Sequence, residues 1–135
     1  MRALQEFFLS PWVAWLGLLG LCSAYLQGPL VKLRDFRGAV AEMRHFGLAP
    51  AVPFAAFTIA FELGASALVL TGFHRWLGAL ALAGFTVLAS LLADRFWSLP
   101  EPARAPATNA FFEHWGLAGA FLLVAWHDLK EQHAN

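Results

Sequence analysis

From Phe7 to Val31 the chain carries no charged side chain, a gap of 25 positions. About 20 helical residues suffice to cross the hydrocarbon core of a bilayer, where only a helix or a closed barrel satisfies its own backbone hydrogen bonds. The gap is longer than the apolar region of a signal peptide, and Leu21 before Cys22 does not suit a lipoprotein cleavage site. It therefore reads as a retained first span, about residues 11–31.

The remaining charges divide the chain in the same way. Between Arg44 and Arg75 the only fixed charge is Glu62, which predicts a second span over about 51–72. Trp76 to Ala93 supplies 18 uncharged residues, a third span of minimal length over 76–93. Pro100, Pro102 and Pro106 mark a loop, with Asn109 as the expected cap of the helix that follows. "AFFEHWGLAGAFLLVAW" then predicts a fourth span over 109–127, interrupted by Glu113 and His114. Composition agrees: 59% of residues are hydrophobic and 13% charged, against about 45–50% and 25% in soluble domains. The expected fold is all-α, an integral membrane four-helix bundle forming one domain over residues 1–135.

Residues 33–48 differ in kind. Leu33, Phe36, Val40, Met43 and Gly47 share one helical face, while Arg34, Arg37, Glu42 and Arg44 lie elsewhere. This predicts an amphipathic interfacial helix between spans one and two, ended near Gly47 and Pro50; the alternative is a polar loop. Small residues at four-residue spacing, Ala60/Gly64, Ala79/Ala83 and Gly116/Ala120, suit close helix approach in lipid. Of the nine Lys and Arg, six follow spans one and three, which by the positive-inside rule places both termini outside the cytoplasm.

Several function classes fall away. Formal net charge is zero, so no basic field attracts nucleic acid. One cysteine, Cys22, excludes an intrachain disulfide, a CxxC pair, CxxCH haem attachment and a multi-thiolate zinc site. HxxxH, HExxH, Walker, GxGxxG and GxSxG patterns are absent, so no metal, nucleotide or hydrolase chemistry is predicted.

Glu62 is the sharpest polar feature. An ionised acid at a helix centre costs about 2.5–3.5 kcal/mol on insertion scales, so Glu62 must face the bundle interior and be protonated or partnered. It is a candidate proton carrier or hydrogen-bond partner for a quinone carbonyl; the alternative is a neutral acid that fixes helix packing. Glu113 and His114 point about 100° apart, so at most one aims squarely at a site shared with Glu62. His114 is the better candidate, since imidazole passes protons near neutral pH. Its alternative is an interfacial histidine, and Glu113 is explained by the helix dipole. Lys32 and Arg75 are candidates for anionic or cofactor contacts, with flanking anchors as the alternative.

"GPLVKLRDFRGAVAEMRHFGLAP", "ELGASALVLTGFHRWLGALAL" and "NAFFEHWGLAGAFLLVAW" together resemble the DoxX family of small four-helix inner-membrane proteins, over about residues 20–128. The matching positions are Lys32, Leu33, Asp35, Phe36, Gly47, Leu48, Pro50, Glu62, Gly72, Arg75, Asn109, Phe111 and Gly119. The resemblance implies a bacterial inner-membrane location and a link to the membrane part of a thiosulfate to quinone oxidoreductase, or to thiol balance and oxidative stress. On that reading the chain is the membrane subunit of a quinone-linked redox system. Glu62 and His114 carry the chemistry, and Glu62, Lys32 and Arg75 contact a quinone. With no haem, flavin or dithiol motif, electrons would have to be supplied by a quinone or by a partner protein, such as a soluble redox partner. The competing reading is a small-solute transporter, which at 135 residues calls for a homo-oligomer, or a scaffold that holds a soluble partner through residues 33–48.

Overall fold

The computed structural model describes residues 1–134 and is all-helical, with no strand among them. Seven-residue α1 (Arg2–Phe8) precedes α2 (Pro11–Arg34), α3 (Phe36–His45), α4 (Ala51–Thr71), α5 (Arg75–Ala93) and α6 (Arg104–Gln132), with a 3-10 turn at Phe96–Ser98. Three stretches are long and apolar enough to cross a membrane: Pro11–Arg34, Ala51–Thr71 and Arg75–Ser98. The fourth long helix, α6, carries Glu113 and His114 in its first half, which lowers its hydropathy.

Local chemistry sets the helix boundaries. Pro11 starts α2 at a position whose N–H would have no intrahelical acceptor. Within that helix, Pro29 withholds the hydrogen bond that Tyr25 C=O would otherwise receive, and a membrane helix tolerates this where neighbouring helices cover the gap. Asp35 then breaks the helix and caps the next one, its side chain accepting from Gly38 N at 3.0 Å. Gly47, at φ +74°, closes α3 with paired bonds from Gly47 N to Arg44 O and from Leu48 N to Met43 O. These are the two contacts of a Schellman motif.

The amphipathic segment is therefore shorter than its sequence stripe. Leu33 belongs to α2, and the residues α3 buries are Ala39, Val40 and Met43, packed on Ala55 of α4. The last helix begins five residues before the expected cap Asn109, at Arg104. Pro106 sits in its first turn, where a missing N–H breaks no intrahelical bond.

The long helices run antiparallel. Gly78 of α5 lies against the C-terminal half of α4: a Cβ placed on it would stand 2.6 Å from Ala65 O and 2.8 Å from Leu68 Cβ. At the far end of α6, Asp128 Oδ2 accepts from Trp76 N at 2.9 Å. The main core joins Cys22 and Tyr25, Ala65 and Val69, Ala79, Leu82 and Ala83, and Ala118, Phe121 and Ala125. So many alanines bring backbones close, which is how helices gain van der Waals contact in lipid. Of the predicted small pairs, Ala79/Ala83 is buried, whereas Ala60, Gly64 and Gly116 face outward.

Candidate functional site

Glu62 stands near the middle of α4 with only 4% of its surface exposed. Its partner comes from the last turn of α2: Lys32 Nζ donates to Glu62 Oε1 at 3.3 Å. A cation is favoured at that helix end by the dipole, and its long stem lets it reach inward from there. The other carboxylate oxygen, Oε2, faces Gly28, where a Cβ would lie 3.4 Å away. Tyr25, Gly28 and Lys32 recur at helical spacing, so one stripe of α2 meets the acid.

Further polar side chains are buried on α4 and α5. Thr58, Glu62 and Ser66 repeat every four residues along α4. Thr58 donates to Phe54 O at 2.8 Å, while the Ser66 hydroxyl is fully buried without a protein partner. On α5, Ser90 donates to Val87 O at 2.9 Å and Thr86 to Leu82 O at 2.6 Å. A threonine hydroxyl has one hydrogen, so in the Tyr25–Thr86 bond the tyrosine is the donor. Tyr25 also packs edge-on against Phe121.

Apart from Ser66, in the C-terminal half of α4, these groups lie from about mid-span to the α3 end of the helices. Towards the start of α2 and α5 the interior is apolar, with Cys22, Val69, Leu82 and Phe121 fully or almost fully buried. Arg75 lies at that apolar end, where its Nε donates to Val69 O at 2.7 Å and closes the C-terminus of α4 beside left-handed Gly72. At the opposite end His114 Nδ1 bonds Asp94 Oδ2 at 2.8 Å, and Glu113 is exposed. Of the four predicted site residues, then, the structure joins Lys32 to Glu62, gives His114 a separate carboxylate and places Arg75 elsewhere.

Sequence reasoning passed over Tyr25, Gly28, Thr86 and Ser66. The α2 stripe was visible as a spacing, but only the fold shows which face meets Glu62. Asp94 and His114 fall on the same side of the membrane by topology, and that was the available signal for their pairing. No group of three or more metal-ligating side chains forms among the described residues.

Helices of this length and apolarity, wrapped around an internal ion pair, define a polytopic integral membrane protein. The DoxX family pattern matches residues 14–95, which contain Lys32, Glu62 and Arg75, and the chain belongs to the DoxX family. It is similar to the inner membrane protein YphA of Escherichia coli (strain K12), with 27% identity over 94 residues, covering 70% of this chain and 67% of that protein. Family and relative together place it in the inner membrane as a multi-pass protein. No solved structure matches.

Proposed function

We propose that the chain is the membrane subunit of a quinone-linked redox system serving sulfur or thiol oxidation, with α2, α4, α5 and α6 as its four spans. In this reading α3 lies at the interface. The observation that carries the proposal is the Lys32–Glu62 pair, a buried acid held beside a cation, with further polar side chains buried on α4 and α5.

A quinone, when bound, supplies two-electron, two-proton redox chemistry with electrons from a soluble partner. The residues fit such a group: Lys32 Nζ can donate to a carbonyl oxygen, and Glu62 Oε2, which faces Gly28, can hold or pass a proton. Tyr25, tied to Thr86, keeps the neighbouring wall of α2 in register. His114, bonded to Asp94 and part-exposed, would exchange protons with water at that end of the helices. Arg75 acts as a helix cap. The apolar half of the bundle weighs against a solute path through one chain.

The test is to purify the protein in mild detergent and look for a co-purifying quinone by absorbance and mass spectrometry, in wild type and Glu62→Gln. Quinone present in wild type and lost from a folded variant supports the reading. Bundles that are empty and equally stable in both reduce Glu62 to a packing residue.

A further inference from the structure

A second site lies apart from the ion pair, where the C-terminal end of α3 approaches that of α5. His45 and Phe46 on one side and Leu92, Arg95 and Ser98 on the other line an open groove of about 350 Å³. Volumes of this size suit small-molecule groups. Its polar wall is cationic. Arg95 spends its Nε–H on Leu91 O at 2.8 Å, which fixes the guanidinium and leaves four N–H donors unused. His45 offers a ring N–H in either protonation state.

Three acceptors beside the groove are already engaged, while the exposed carboxylates of Glu42, one turn before His45, and Glu101, two residues after Leu99, lie outside its lining. Asp94 is bonded to His114, Leu91 O to Arg95, and Arg95 O accepts from the Ser98 hydroxyl. A lining that holds a guanidinium and an imidazole but no carboxylate favours an oxyanion. Below it, Leu88, Leu91 and Leu92 are exposed on α5 in a ladder that faces lipid. Beside it, Phe96, Trp97, Phe111 and Trp115 form an aromatic cluster, and both tryptophans are exposed. Exposed tryptophans at the end of a span mark the headgroup level.

We propose that this groove binds the phosphate of an anionic phospholipid, with Arg95 and His45 on the headgroup and the leucine ladder under an acyl chain. A free oxyanion has the same headgroup chemistry but no use for the ladder. The site is independent of the quinone reading.

Native mass spectrometry of the full chain in detergent, with added phosphatidylglycerol or phosphatidylcholine, tests it. Wild type should retain phosphatidylglycerol over phosphatidylcholine, and Arg95→Gln should cut that retention about fivefold, the effect of one basic residue near an anionic headgroup. His45→Ala, at an exposed position, should weaken it without a change in melting temperature, and Arg95→Lys should restore part of it. Equal retention of the two lipids by wild type, or unchanged retention in the Arg95→Gln/His45→Ala double variant, overturns the proposal. Displacement of the lipid by millimolar inorganic phosphate also overturns it and assigns the groove to a free anion.

Discussion

Glu62 and Lys32 stabilise one another only as a pair. Removing one partner of a buried ion pair strands the other charge and costs about 3–5 kcal/mol, while replacing both can be nearly neutral. Lys32→Met should therefore lower unfolding free energy by about 3 kcal/mol, and Lys32→Met/Glu62→Gln should recover most of that loss. A double-mutant cycle in detergent measures it, and equal losses in the single and double variants would remove the coupling. Tyr25→Phe deletes one buried donor and should cost about 1 kcal/mol. Glu62 was legible as an anomaly because an acid inside an apolar run is conspicuous whatever the fold. Its partner was not, since 30 residues separate them and a lysine at a span end has an ordinary explanation as an anchor. Likewise, topology puts Asp94 and His114 on one side of the membrane, but nothing around His114 singles out Asp94 as its acceptor.

At the scale of elements, close helix approach decides what is tolerated. Gly78 has no room for a side chain because Ala65 O and Leu68 Cβ already occupy that space. Gly78→Val should push α4 and α5 apart and destabilise the protein by about 1–3 kcal/mol, whereas Gly64→Ala, with nothing within 4 Å, should be close to neutral. A thermal-shift comparison separates them, and equal shifts would contradict the crossing. The charge gaps located the helices, since the absence of charge over a membrane thickness is a property of sequence alone. Choosing which small pairs face inward needs the helix rotations, so Ala60/Gly64 and Gly116 read as interface and lie outside it. The start of α6 was displaced because Pro106 looks the same in a loop as in a first helical turn.

For the whole molecule, most buried polar side chains gather towards the α3 end while the other end is apolar, which predicts one-sided access. Thr58→Cys, one turn from Glu62 towards the α3 side and 9% exposed, should react with a small membrane-impermeant thiol reagent added from that side and resist it from the other. Native Cys22, fully buried among apolar neighbours, should stay unlabelled from both sides. Labelling of Cys22, or of the introduced cysteine from the α1 side, would show that the apolar half leaks.

The bond from Trp76 N to Asp128 Oδ2 joins the first turn of α5 to a residue made more than 50 positions later. During synthesis the third span must wait in the bilayer with that amide uncapped until Asp128 itself has left the ribosome. This contact is therefore completed only after α6 has been made. Chains cut shortly before Asp128 would keep all three of the most apolar spans and still present an unfinished protein to the membrane's quality-control proteases.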